Sequence, residues 1–219
     1  MAHYPISLNL KDRRCLVVGG GSVAERKVET LLEFGAEVTI IAPDLTPALS
    51  DLVSRRLIQH LASSYQSDPS DPTCLPRSIG DPSDWALVFA ATDDREVNKR
   101  VFADCQSRGI LVNVVDDPEL CNFFVPAIVR RDDLIISIST SGKSPAMARW
   151  LREKLEKEYG PEYGQLADIL GQLRDEVKAK YPNPADRNQA YLRILNSEVL
   201  DLLAKGKEEE ALAKARSLI

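Results

Sequence analysis

Short runs of Val, Ile and Leu alternate with helical patterns through the first half of the chain. Residues 14–18, 37–42, 57–61, 86–91 and 110–115 predict strands, and their near-continuous apolarity suits a sheet covered on both faces. A helix is predicted over about 22–34, with Val28, Leu31 and Leu32 inward and Gly35 at its C-terminal end. A second opens at Asp93, where Glu96 completes a capping box. It carries Val97, Val101 and Cys105 on one stripe and stops before Gly109. This βαβα alternation predicts an α/β fold with a parallel, doubly wound sheet of the Rossmann type.

The pattern changes twice. Of the 22 residues from 63 to 84, 14 are Ser, Asp or Pro, which predicts a flexible surface insertion. After Asp116 the alternation stops, and residues 122–131 and 134–140 predict an antiparallel hairpin turning near Asp132 and Asp133. From Ser144 onward the chain reads as helical. Ser144-Pro145 is an N-cap and first-turn pair, Met147, Trp150, Leu151 and Leu155 recur at helical spacing, and Gly160, Pro161 and residues 181–184 divide three or four further helices. The expected division is a domain of alternating strands and helices over 1–113, a small hairpin region over 114–145 and a helical domain over 146–219.

Composition narrows the class. The longest apolar runs, 85–91 and 123–129, fall far short of the ~18 residues a spanning helix needs. Lys11, Arg13 and Arg14 follow only a broken apolar stretch, so no cleavable signal is expected and cytoplasm is the expected compartment. A net charge of −5 argues against a chain-wide footprint for nucleic acid. Cys15, Cys74, Cys105 and Cys121 form no C-x-x-C pair, and with only His3 and His60 as imidazoles no zinc site is expected. The cysteines read as small buried hydrophobes, and acid–base work falls to carboxylates.

The sharpest motif is Gly19-Gly20-Gly21-Ser22-Val23-Ala24, which follows a strand and opens a helix in the pattern G-x-G-x-x-A. Gly19 permits the tight turn, Gly21 lets backbone approach a pyrophosphate, and Ala24 lets helix and strand pack closely. The carboxylate nearest the end of the second strand is Asp44, after Pro43, placed to reach a ribose or else only to cap the next turn. No basic residue follows that strand, which favours NAD over NADP. Thr92 and Asn113 fall at carboxyl ends of later strands, on the cofactor side. Asp116 stands where the sheet gives way to the hairpin, either an ordinary turn former or the carboxylate best placed for catalysis. Arg130, Arg131, Lys143, Arg149, Arg152 and Lys154 concentrate positive charge, as a solvated face or, with residues 141–144 at a helix start, as a candidate anion cradle.

Together these residues resemble the precorrin-2 dehydrogenase family, which includes the N-terminal module of siroheme synthase. The resemblance lies in Tyr4-Pro5-Ile6, the run from Val17 to Lys27, Ala90-Ala91-Thr92 with Val97-Asn98, Asn113-Val114-Val115-Asp116 and Gly142-Lys143-Ser144-Pro145. It implies NAD-dependent oxidation of precorrin-2 to sirohydrochlorin by a homodimer of three-part build, with a nucleotide-binding domain over 1–113, a dimerisation region over 114–145 and a helical domain over 146–219. Asp116 occupies the family's catalytic position, Ser22, Val23, Pro43 and Asp44 its dinucleotide contacts, and Lys143, Ser144 and Arg149 are expected to hold the substrate's acid groups. The chain ends where the methyltransferase module of fused siroheme synthases would begin, so methylation is not expected of it. Some family members also insert ferrous iron into sirohydrochlorin. The residues do not choose between the two habits, and with no soft or imidazole cluster chelation would rely on Asp116 and the macrocycle nitrogens. A short-chain reductase needs Tyr-x-x-x-Lys, which none of the six tyrosines provides. A non-catalytic NAD-sensing domain explains the glycine loop and a dimer, but not a carboxylate beside a basic patch.

Overall fold

The computed structural model describes residues 3–65 and 85–219, in two compact units, His3–Val125 and Pro126–Ile219. Most of the predicted insertion therefore lies outside the described residues, as does Cys74. In the first unit the elements run β1 (Arg14–Val18), α1 (Ser22–Glu33), β2 (Glu37–Ile41), α2 (Pro47–Ser54), β3 (Ile58–Leu61), β4 (Trp85–Ala90), α3 (Arg95–Gln106) and β5 (Leu111–Val114). The five strands form one parallel sheet in the order β3-β2-β1-β4-β5, as the alternation predicts. The chain winds outward on one side of β1 and resumes on the other with β4. The point of reversal, between β1 and β4, is where open α/β sheets place ligands.

Both faces of the sheet are covered. Leu16, Val18, Val88 and Val112 pack with Val101 and Cys105 of α3. Cys15, Val17, Ile40 and Phe89 pack with Ala24, Val28 and Leu31 of α1 and Leu49 of α2. Alternate residues of β1 thus serve opposite faces, and each fully buried Val or Leu contributes about 1.5–3 kcal/mol. Cys15 and Cys105 are wholly buried, and burial pushes their thiols up to about 11 and about 12.

The structure corrects several boundaries. The short helix α2 is absent from the sequence reading, although Thr46-Pro47 is the same cap-and-proline signal read correctly at Ser144-Pro145. The cap of α3 is Asp94 rather than Asp93, since the Asp94 carboxylate accepts from the Glu96 and Val97 amides at 2.9 and 3.2 Å. Tyr65, assigned to the exposed insertion, is only 3% exposed, and its hydroxyl donates to buried Asp104 at 2.7 Å.

In the second unit β6 (Ala127–Arg131) and β7 (Leu134–Ile138) form the expected antiparallel hairpin. It starts later than predicted because 122 and 123 are occupied elsewhere: Asn122 Oδ1 accepts from the Val112 amide at 2.7 Å, and its Nδ2 donates to the Ile110 carbonyl at 2.9 Å. One asparagine side chain thus satisfies the edge of β5. After α4 (Pro145–Glu158) come five helices rather than three or four: α5 (Glu162–Gln172), α6 (Arg174–Lys180), α7 (Pro184–Leu195), α8 (Val199–Ala204) and α9 (Glu208–Ser217). Leu166, Ile169, Leu173, Ile194, Val199, Leu203, Ala211 and Ala215 form their core. Met147 and Trp150 of the α4 stripe are exposed. No helix among the described residues is long and apolar enough to cross a membrane.

Candidate functional site

The three glycines after β1 do different work. Gly19 has φ 116°, and a Cβ there would stand 2.3 Å from the Ala91 carbonyl oxygen at the end of β4. A Cβ on Gly20 would stand 1.9 Å from the Asp44 carbonyl oxygen beyond β2. The loop is therefore clamped between two neighbouring strand ends, and neither position admits a side chain. Gly21 is the reverse case: its φ is −85°, and a Cβ would meet nothing within 4 Å.

Gly21 is also the N-cap of α1, and no side chain caps that helix. By contrast Thr46, Asp94 and Ser144 cap α2, α3 and α4 with their side chains. The first-turn amides of α1 and the positive end of its dipole open onto space that only glycine leaves clear. That donor set and shape fit a pyrophosphate. Ser22 is exposed and Val23 half-buried beside it, whereas Ala24 is fully buried and acts by close helix–sheet packing. Pro43 and Asp44 lie exposed beyond β2. Asp44 does not cap the next helix, because Thr46 does, and the Thr46 hydroxyl also ties α2 to Glu25 of α1 at 2.5 Å.

Thr92 and Asn113 fall on the same carboxyl edge, but their side chains are engaged within the protein. The Thr92 hydroxyl lies 2.8 Å from Asn98 Oδ1, and Asn98 Nδ2 donates to the Thr92 carbonyl at 2.9 Å. Asn113 Nδ2 donates to the Phe123 carbonyl at 3.1 Å. Both residues shape the strand ends.

Two adjacent aspartates follow β5, and the structure separates them. The Asp117 carboxylate accepts from Arg95 Nε and Nη2 at 3.2 and 3.1 Å. Asp116 is exposed and makes no hydrogen bond or ion pair with the described residues. Its φ of 61° is a left-handed conformation that Asp and Asn tolerate better than most residues. Cys121, read from sequence as a small buried hydrophobe, holds this turn. Its sulfur accepts from the Val114 amide at 3.2 Å, and the thiol reaches the Val114 and Asp117 carbonyls at 3.2 and 3.3 Å. Burial pushes the Cys121 thiol up.

Lys27, which motif reading named only in passing, lies within reach of the Asp116 charge. It stands one turn beyond Val23 on α1, with its ammonium 5.4 Å from the centre of the Phe89 ring, and Phe89 meets Phe123 edge-on at 5.5 Å. Burial, and next the charge of Arg26, hold the Lys27 ammonium below the ordinary lysine range, while the Asp116 charge works the other way. The i, i+4 spacing from Val23 was the available signal.

The predicted basic patch belongs to the second unit, and several of its arginines are engaged within the protein. Arg149 Nε pairs with Glu153 at 2.9 Å and Arg152 Nη1 with Glu156 at 2.7 Å. Arg131 donates to the Tyr159 and Glu156 carbonyls at 2.8 and 2.9 Å, stitching the hairpin to the end of α4. The expected anion cradle is filled from within: the Lys143 amide bonds the Thr140 carbonyl, the Ser144 amide bonds Thr140 Oγ1, and Ser144 Oγ accepts from the Met147 amide, all at 3.0–3.1 Å. Lys143 stays exposed.

Residues 6–127, more than half of the chain, match a family model described as putative NAD(P)-binding. The regions described as sirohaem biosynthesis protein central and sirohaem synthase dimerisation follow in order, over 131–158 and 162–219. The chain belongs to the family described as putative NAD(P)-binding. The siroheme synthase of Chromobacterium violaceum is 39% identical over 219 residues, which cover 100% of this chain and 44% of that protein. The siroheme synthase of Thioalkalivibrio sulfidiphilus is 39% identical over 211 residues, covering 96% of this chain and 41% of the relative. The chain thus spans less than half the length of these curated relatives. A solved structure of SirC, a precorrin-2 dehydrogenase, superposes with a TM-score of 0.72 at 25% identity, covering 98% of this chain and 100% of that one.

Proposed function

We propose that this chain is an NAD-dependent precorrin-2 dehydrogenase that works as a homodimer in the cytoplasm and yields sirohydrochlorin for siroheme synthesis. The observation that carries the reading is the carboxyl edge of the sheet: an uncapped helix start behind Gly21, and an unpaired carboxylate, Asp116, after β5 in the same unit. The match to SirC over the full length of both chains supports the same reaction. The sirohaem synthase dimerisation region over 162–219 supports the dimer. The division 1–113, 114–145 and 146–219 belongs to this proposal as nucleotide-binding, hairpin and helical parts, with the dimer contacts assigned to the helical part, which contains 162–219.

The bound dinucleotide supplies a hydride acceptor. Gly19, Gly20 and Gly21 hold the backbone where the amides of Ser22, Val23 and Ala24 meet the pyrophosphate. Asp44 takes the ribose hydroxyls, with Pro43 beside it, and the absence of a basic residue there selects NAD. Thr92 and Asn113 keep the strand ends in register. Asp116 accepts the proton that leaves as the macrocycle loses hydride, so two electrons and two hydrogens are accounted for. In the other unit, exposed Lys143, in the turn before α4, is assigned to the substrate's carboxylates, with Ser144 and Arg149 fixing the helix that follows it.

Purified protein given precorrin-2 and NAD should develop the sirohydrochlorin absorption with stoichiometric NADH. Binding of NAD without turnover would instead make the chain a sensor. Ferrous iron enters the proposal as a second substrate, and no group of three or more His, Cys, Asp or Glu among the described residues could hold a metal. The macrocycle nitrogens would supply the ligands, and siroheme formation from sirohydrochlorin and Fe(II) no faster than without protein would remove chelation from the proposal.

A further inference from the structure

We propose that the opposite, amino-terminal edge of the sheet carries a binding site for a small oxyanion, a carboxylate or phosphate, in a pocket of about 270 Å3 lined by Arg13, Trp85 and Arg108. Leu8, Asn9, Ala86 and residues 109–111 complete its wall, all within the first unit. The lining holds two guanidinium groups, an indole N–H and an amide, and no carboxylate.

Three donor atoms on residues that line this pocket lack acceptors. Trp85 is 4% exposed, yet its Nε1 has no partner among the described residues, and neither have the buried Nη1 and Nη2 atoms of Arg108. Buried polar atoms are nearly always paired, and leaving one unpaired costs about 1–3 kcal/mol, more for a charged group. All three atoms are N–H donors, so the missing group is an acceptor, and beside two arginines it is an anion. Asp104 does not fill the role: its charge is felt by Arg108, but its Oδ2 takes the Tyr65 hydroxyl, and no Arg108–Asp104 ion pair forms within 4.0 Å. The Arg14 guanidinium lies 4.3 Å from the centre of the Trp85 ring, which fixes the indole and adds positive field.

The volume selects the size of the ligand. Pockets for drug-sized molecules run from about 300 to 1,000 Å3, so this one suits a phosphate or a short carboxylate with a few waters, not a nucleotide or a tetrapyrrole. A second pocket, of about 430 Å3 in the other unit, makes the contrast: Asp132, Asp133, Asp168, Glu208 and Glu209 line it without a single cation. A chain of net charge −5 therefore confines a carboxylate-free, donor-rich cavity to one edge of its sheet.

The chain has two tryptophans, so Trp150→Phe leaves Trp85 as the fluorescence reporter. The full-length variant is titrated at constant ionic strength with phosphate, and separately with succinate. A saturable change in Trp85 emission is expected with one of the two, and which one assigns the ligand class. Adding Arg108→Gln should weaken it at least about tenfold through loss of a charge-assisted contact. Arg13→Gln is the second variant should Arg108→Gln fail to fold. Adding Gly21→Asp should leave the titration unchanged, which separates this site from the glycine loop. No saturable change with either anion overturns the proposal, as does a change that survives both arginine substitutions. The readout needs neither NAD nor precorrin-2, so its failure is independent of the proposed dehydrogenase.

Discussion

The two ends of the parallel sheet are built on opposite principles. At the carboxyl end the surface assigned to the dinucleotide is backbone: a glycine with nothing in front of it and a helix start that no side chain caps. At the amino end the unsatisfied groups are side chains, the Trp85 indole and the Arg108 guanidinium, on residues that flank the starts of β4 and β5. A backbone site is written as a local motif, because only glycine permits the close approach. A side-chain site is assembled from residues about 25 and 70 positions apart that no motif joins. The contrast can be tested by substitutions that remove charge, space or a hydrogen bond from one end at a time.

The largest effect is expected at Asp116. Asp116→Asn keeps a residue that tolerates the left-handed backbone and removes only the charge, whereas Asp116→Ala adds strain of about 1–2 kcal/mol. With Asn, precorrin-2 oxidation should fall by about 10²–10⁴ while NAD affinity and thermal stability hold. Turnover within a factor of a few of the parent would take Asp116 out of the reaction.

Next comes the pair Gly20 and Gly21, which the same loop sets apart. Gly20→Ala places a Cβ against the backbone oxygen of Asp44, where nothing flexible can yield, and should cost about 1–3 kcal/mol in denaturant unfolding. Gly21→Ala meets open space and should leave stability within about 0.5 kcal/mol while weakening NAD in a titration. Gly21→Asp should abolish NAD binding by bulk and repulsion. Equal stability losses at the two positions would contradict the distinction.

That distinction marks how far the sequence was legible. Strand apolarity and the glycine run place β1, α1 and the sheet within a residue or so, because periodicity and backbone need coincide there. Helix α2 was missed because its eight residues carry only one fully buried side chain, Leu49, too little for a periodic stripe. The clustered arginines misled for a different reason. A run of like charge does not show which members face Glu153, Glu156 or backbone carbonyls until the helix is formed. Tyr65 was lost in a polar stretch whose composition says nothing of one aromatic anchoring into the core.

Tyr65 yields the next effect in size, and it depends on pH. Burial holds the Asp104 carboxyl above its ordinary range, against the lowering by the Tyr65 hydrogen bond and by Arg108. A carboxyl raised in the folded state binds more protons folded than unfolded, so its contribution is full below the unfolded value and declines as pH rises through the folded one. Tyr65→Phe removes a donor to the charged form, so its cost of about 1–3 kcal/mol should grow from acid to neutral pH. Asp104→Asn should flatten that dependence. A pH-independent loss in Tyr65→Phe would show that packing alone is at stake.

The smallest change is expected at Lys27, where the two roles of a charge pull apart. Its ammonium is depressed chiefly by burial, so the folded protein binds that proton less readily than the unfolded chain, and stability should rise as pH climbs through the folded value toward 10.5. Lys27→Met keeps the aliphatic stem over Phe89 and removes the buried charge, so at neutral pH it should be neutral or stabilising by under about 1 kcal/mol. Loss of a cation near Asp116 and the helix start should weaken NAD a few-fold, and more at low salt than at high, because an exposed site is screened. Unchanged affinity at both salt concentrations would leave Lys27 as a packing residue and reduce the functional carboxyl edge to its backbone and Asp116.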